Sequence, residues 1–257
     1  MLKPWLWLLV LCPLWSQADN LLEDAPKNVI FATTHWCPYA CEDLAESPSV
    51  VYEFVKALLN KQGIEVQIQF YPWTRAIKEV TSGRAHGLLT AVHEEAPHLN
   101  FTNTPTMSYR VCFFTDGGSG WSYSGVDSLK GITLGAIHGY GYDPQVNQYI
   151  RLADVRSSLQ LISGGDEITR FIEMLSLGRI DVFLDDQYVT AWQVKSNGID
   201  FTRIRKAGCL ADTPFYMGFN PALEWGDNVI EFLDESLKLK ASQETLQSIL
   251  KKYTVQK

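Results

Sequence analysis

From residue 29 onward the chain alternates short apolar runs of strand period with longer stretches of helical period. Residues 29–33 (VIFAT) read as a first strand. Val51, Phe54, Val55, Leu58 and Leu59 then share one helical face, behind Ser47 as a predicted N-cap and Pro48 at the first helical position, and Gly63 ends that helix. Residues 66–70 (VQIQF) alternate as a second strand. A Tyr-Pro-Trp-Thr turn with Thr74 as a predicted N-cap leads into a helix marked by Ala76, Ile77 and Val80, which stops at Ser82-Gly83. Residues 87–91 (GLLTA) read as a third strand, and residues 101–105 (FTNTP) as a loop of small hydroxyl and amide side chains. A polar loop after strand, helix and strand is an arrangement that α/β proteins use to hold small ligands.

The second half repeats the theme. Residues 107–115 are apolar and strand-like, and the glycine-rich run at 116–120 breaks them. Residues 129–136 carry a further strand, followed by the loop His138-Gly139-Tyr140-Gly141-Tyr142. Glycines between a strand and a helix let backbone N–H groups approach an anion. Ile168, Phe171, Ile172 and Leu175 mark a helix that ends in the run 177–186 (LGRIDVFLDD), a glycine closing the helix ahead of a strand. Gly83-Arg84 closes the earlier helix in the same way, so two similar halves are expected. Residues 215–219 read as a late strand. Val229, Phe232, Leu233 and Leu237, then Leu246, Ile249 and Leu250 behind a Ser242 start, predict amphipathic helix packed on a sheet. The class is α/β.

The chain has 257 residues, room for one large domain or two modest ones. A net charge of −7 with no basic run gives nucleic-acid binding no support. Residues 1–18 have the make-up of a cleaved signal peptide: Lys3 in the positive region, an apolar stretch from Trp5 to Trp15, and small residues before a cut after Ala18. Cys12 invites a lipoprotein reading, which the bulky Leu11 before it disfavours, so export to the periplasm is expected. That cut leaves four cysteines, Cys37, Cys41, Cys112 and Cys209, an even number suited to disulfides in an oxidising compartment. Three pairings are open, of which Cys37–Cys41 with Cys112–Cys209 is favoured. His35, Cys37 and Cys41 lack a fourth zinc ligand at recognisable spacing, so neither a metal nor any other cofactor is expected.

Several of these stretches carry a family resemblance. PWTRAIKEVTSGRAHGLL with LNFTNTP, LKGITLGA and LGRIDVFLDD stand in the order and spacing of bacterial extracellular solute-binding proteins of family 3, the amino-acid-binding type. The resemblance covers nearly the whole mature chain, and the last of these motifs is the most specific. It implies a periplasmic-binding-protein-like type II fold: two α/β lobes joined by two hinge crossings. Residues 19–106 and 214–257 would form lobe 1, and 107–213 lobe 2. It also implies capture of a small polar solute, amino-acid-like or amine-bearing, between the lobes, for delivery to an ABC-type permease. The expected form is a monomer.

The resemblance implies ligand contacts as well. Trp36 and Tyr39 match the family's paired aromatics after the first strand, although both also suit simple packing of their loop. Trp73 would add flat apolar surface. Thr90, Tyr109 and the backbone of Gly139, Tyr140 and Gly141 would add hydrogen bonds. Asp186 matches the carboxylate that receives a ligand amine, or else caps the helix that follows it. Two positions depart from the pattern. His86 replaces the usual Asp, and Glu95 stands where the family's Arg grips an α-carboxylate. Arg75 and Arg110 are the substitute cations within reach in the sequence. With Glu95 and Asp186 both at the cleft, a cationic or amine-bearing ligand is equally admissible.

The chain carries no nucleophile elbow, phosphate-binding Walker loop or dinucleotide fingerprint. A binding protein without chemistry is therefore expected. The alternatives are a periplasmic lyase or dehydratase on the same scaffold, with Glu95 or Asp186 as general acid, or a ligand-sensing module docking on a membrane sensor.

Overall fold

The computed structural model describes residues 22, 24–42, 49–138, 140–153, 158–163 and 166–254. The expected signal peptide, Cys12, Ser47, Pro48 and Gly139 lie outside the described residues. The first half forms β1 (Asn28–Thr33), α1 (Val50–Leu59), β2 (Glu65–Phe70), α2 (Trp73–Thr81), β3 (Gly87–Ala91), β4 (Asn100–Phe101) and β5 (Met107–Tyr109). There follow β6 (Val111–Asp116), β7 (Leu134–Ile137), α3 (Pro144–Leu152), β8 (Leu159–Ile162), α4 (Glu167–Ser176), β9 (Val182–Asp186), α5 (Gln187–Ser196) and β10 (Ile204–Cys209). The chain ends with β11 (Thr213–Phe219), α6 (Gly226–Lys238) and α7 (Lys240–Thr254).

These strands make two sheets, one per lobe. One has the order β2-β1-β3-β11-β4, with β5 paired to β11, and the other β10-β6-β9-β7-β8. The expected single strand over 107–115 is in fact two, β5 and β6, divided at Arg110. At that residue the chain leaves β11 for β9 and β10, and the Arg110 N–H is given to Asp186 Oδ2 at 2.8 Å instead of to a ladder. The return passage runs beside it: Thr213 faces Tyr109 and Phe215 faces Met107 in antiparallel register. The two passages between the sheets are thus one hydrogen-bonded pair.

Both sheets are covered on both faces, which is why their strands read as continuous apolar runs. In the first, Val29, Phe31, Leu89 and Met217 pack with α1, α6 and α7, while Ala32, Leu88 and Ala91 meet Ala76 and Val80 of α2. In the second, Cys112, Phe114 and Phe183 pack on Ile168, Phe171, Ile172 and Leu175 of α4, and Val111, Phe113, Val182 and Leu184 face Leu129 and Val146. Gly83 and Gly178 follow α2 and α4 at φ 77° and 63°, left-handed positions that suit glycine and turn each helix back into its sheet. The last helix does more than cover a sheet. Its C-terminal end reaches α5 of the other lobe, where the Tyr253 and Trp192 rings meet at a tilt, 5.8 Å apart, and Lys195 Nζ donates to the Lys252 carbonyl at 2.8 Å.

Several predicted boundaries move. Helix α1 starts at Val50, with Ser49 at the N-cap. Thr74 lies within α2, whose N-cap is Pro72, because the first turn closes on the Pro72 carbonyl through Arg75 and Ala76 N–H. Ser242 likewise lies within α7. His86 is structural: its Nδ1 accepts the Ile30 N–H at 3.0 Å, its ring stands edge-on to Trp225, and burial holds the imidazole below its usual pKa, favouring the neutral acceptor. Both disulfides join the favoured partners, Cys37 with Cys41 and Cys112 with Cys209. The second links residues directly opposite each other on β6 and β10. The first uses up the sulfurs of the weak metal reading, and no group of three or more metal-ligating side chains occurs among the described residues.

The loop at 101–105, expected to hold ligand, serves the fold instead. Buried Asp234 of α6 accepts the Asn103 N–H at 3.0 Å, the Asn103 Nδ2 at 2.8 Å and the Thr104 N–H at 2.7 Å. Replacing Asp234 with Ala leaves these donors unpaired and is expected to cost about 1–3 kcal/mol. The shift in urea midpoint measures it, and solute affinity should be unchanged because no residue of 102–104 lines the cleft described next.

Candidate functional site

A cavity of about 480 Å³ opens where the two lobes face each other. Its walls come from loops at strand ends, the usual position for a ligand in α/β sheets. From the first lobe come Thr34, His35 and Trp36 after β1, Trp73 at the start of α2, and Thr90, Ala91, Val92 and Glu95 around the end of β3. From the second come Val111, Tyr140, Gly141 and Tyr142 after β7, and Asp185 and Asp186 at the end of β9. The two crossing strands supply Tyr109 and Phe215. A larger opening of about 810 Å³ elsewhere on the second lobe, between residues 124–127 and α3, gathers no comparable set of aromatic and acidic groups.

The sequence-selected residues divide cleanly. Trp36, Trp73, Thr90, Glu95, Tyr109, Tyr140, Gly141 and Asp186 all line the cavity. Tyr39 does not: it is fully buried behind Trp36, their rings 4.2 Å apart, and donates its hydroxyl to Asp186 Oδ1 at 3.0 Å. Arg75 does not either. Its Nε pairs with Glu79 at 3.3 Å and its guanidinium sits over Tyr71. Arg110 is held by Asp212, with Nη2 2.6 Å from Oδ2, and is not among the lining residues. Neither arginine replaces the missing clamp.

Trp36 is fixed by covalent and aromatic contacts. Its backbone pairs with Ala40 in both directions, and the Cys37–Cys41 bond closes the overlapping loop one residue along. Tyr109 and Phe215 then meet its indole edge-on at 5.5 and 5.6 Å. At the floor, the Thr90 and Thr33 hydroxyls share a hydrogen bond of 3.1 Å. Glu95 turns back to accept the Val92 N–H at 3.3 Å, and its partial burial raises its carboxyl above the ordinary range. The Trp73 indole N–H approaches Glu95 without full hydrogen-bond geometry.

The acidic doublet is the most unusual feature of the wall. Asp186 is saturated: Oδ1 accepts from Tyr188 N–H at 2.8 Å, Val189 N–H at 3.0 Å and Tyr39, and Oδ2 from Arg110 N–H. It caps α5, so the second of the two roles expected for it is the one displayed. Burial still raises its pKa, and those four donors hold the rise back. Asp185, beside it and equally buried, accepts among the described residues only the Asp186 N–H, on Oδ1 at 2.7 Å. Desolvation pushes its carboxyl up to about 8.

Asp185, Tyr142, Phe215 and His35 were missed as lining residues. An acidic pair at a strand end was the available signal for Asp185; the motif drew attention to its neighbour alone. Beyond the glycine loop, Asp143 caps α3, accepting from Gln145 and Val146 N–H, so these two first-turn donors are taken from within the chain.

No protein-family model matches the chain, and no curated protein does. Solved structures match in shape. Substrate-binding domain 2 of GlnP from Lactococcus lactis, in its open conformation, superposes with a TM-score of 0.66 at 17% identity, over 91% of this chain and 97% of that one. An ancestral cationic amino acid solute-binding protein gives a TM-score of 0.69 at 13% identity, over 89% of this chain and 96% of that one. A histidine kinase sensor domain with similarity to periplasmic binding proteins gives 0.62 at 16% identity, over 90% and 97%. The chain therefore has the two-lobe, mixed α/β fold of amino-acid ABC transporter substrate-binding domains.

Proposed function

We propose that this protein is an exported solute-binding protein that captures a small polar solute between its lobes and hands it to an ABC-type permease. In this reading residues 19–106 with 214–257 form one jaw, residues 107–213 the other, and the chain works as a monomer. The observation that carries it is the cavity itself, where aromatic and acidic side chains from both lobes and both crossings converge. The paired crossings β5 and β11 are the natural hinge. The fold's occurrence in substrate-binding domains of amino-acid transporters agrees with this role, and its occurrence in a kinase sensor domain supports a sensor as the other membrane partner.

A second reading, a lyase or dehydratase, rests on one specific observation: Asp185 and Glu95 both hold their protons above the usual carboxylate range at the cavity wall, as a general acid must. A matching fold also belongs to an ancestral amino-acid-binding protein described as a precursor of cyclohexadienyl dehydratase. Product formed on incubation with a bound solute would favour this reading; stoichiometric return of intact solute would favour the binder.

Two measurements follow from the binding role. A solute that raises the melting temperature should also shrink the radius of gyration in solution scattering, as closure requires; binding with an unchanged envelope refutes the hinge. Trp36→Ala should weaken that solute about 10-fold or more, since it removes the best-anchored aromatic wall.

The unliganded site also carries a cost that pH exposes. Asp185 holds its proton more tightly folded than unfolded, so its contribution to stability is complete below the ordinary value of 3.8 and is lost as pH rises through about 8. Asp185→Asn keeps an oxygen for the Asp186 N–H and removes the ionisation. It should raise the melting temperature at pH 7.5 by about 5 °C or more, with the gain vanishing towards pH 4. A pH-independent difference would refute this account.

A further inference from the structure

The cavity is one-sided in charge. Glu95, Asp185 and Asp186 line it, and among its lining residues there is no Lys or Arg, His35 being the single imidazole. Both arginines near the cleft in sequence are committed elsewhere, Arg75 to Glu79 and Arg110 to Asp212. The N-termini of the two second-lobe helices that directly follow lining residues are filled from within. Asp143 takes the first-turn donors of α3, and Asp186 those of α5. Of α2, Trp73 alone reaches the cavity. A carboxylate brought into this space would meet other carboxyl groups and no cationic clamp.

One group has capacity to spare. Asp185 is 6% exposed and lines the cavity, and among the described residues no donor reaches its second oxygen. Around it stand Tyr140 and Tyr142, with Trp36, Trp73, Tyr109 and Phe215 completing aromatic walls of the kind that hold organic cations. Resting on the solute-binding reading above, we infer that the cleft selects an organic cation, a protonated amine or guanidinium on a small apolar body, that carries no free carboxylate, and that Asp185 receives its cationic head. The raised proton affinity of Asp185 agrees with this, since the empty site lacks a counter-ion. The titratable groups facing it are Asp186, Glu167 at the start of α4, Tyr39, Tyr140 and Tyr142, none of them cationic. A bound cation lets Asp185 ionise and release its proton to solvent.

Matched pairs test the inference: agmatine against arginine, and cadaverine against lysine, titrated calorimetrically into the purified protein. At least one amine should bind about 30-fold or more tightly than its amino acid. Asp185→Asn, checked for folding by its melting temperature, should weaken that amine by a similar factor. Binding below pH 8 should release protons in the wild type, read from the heat difference between two buffers, and not in the variant. Arginine or lysine binding as tightly as its decarboxylated partner overturns the inference while leaving a solute-binding cleft intact. Binding only of a neutral or acidic solute, from a broader library, has the same meaning. An amine held equally well by Asp185→Asn overturns the assignment of Asp185. Failure of every solute to bind or close the protein overturns both this inference and the reading beneath it.

Discussion

The carboxylate of Asp186 is the knot on which this architecture depends. It accepts from Tyr39 in the first lobe, from the Arg110 backbone at the crossing and from the first turn of α5 in the second lobe. Three parts of the chain, distant in sequence, are therefore registered on one buried group. A buried charge is tolerable only when its lone pairs are met, and here four donors meet them. The arrangement also explains why a single apolar run divides into β5 and β6. The N–H at Arg110 is spent on Asp186, so the ladder breaks there and the strand is free to change sheets.

The same knot gives the doublet its division of labour. Asp186 serves the fold and Asp185 is left over, buried beside it without a second partner among the described residues. Sites that must hold a ligand often retain such unsatisfied capacity at the expense of stability. The aromatic corner is the opposite case. Trp36 is over-determined, by a disulfide-closed loop on one side and by Tyr109 and Phe215 on the other, so it needs little reorganisation to receive a solute.

Much of the fold was legible because strands buried on both faces and helices closed by Gly83 and Gly178 leave strong periodic signals. Weaker elements were not. Helix α5 has two buried residues, Thr190 and Val194, and its sequence gives almost no amphipathic pattern. The site was legible where side chains flank recognisable motifs, and eight of the ten proposed contacts among the described residues line the cavity. Tyr39 and Arg75 were misplaced for different physical reasons. An aromatic beside a cleft can equally stack behind the one that faces it, and an arginine with an acid four residues away on a helix pairs locally. The hydroxyl-rich loop at 101–105 misled because its binding partner is a helix some 130 positions later, Asp234.

The Cys112–Cys209 bond sits just inside the second lobe, where both crossing segments arrive, one residue past β6's start and at the last residue of β10. Together with the β5–β11 pairing, it means that the two tethers cannot slide past one another. In the hinge proposed above they would turn as a single ribbon, one torsional coordinate in place of two slack threads. Because such bonds form and persist in oxidising surroundings, the joint has this stiffness in such a compartment and loses it in a reducing one.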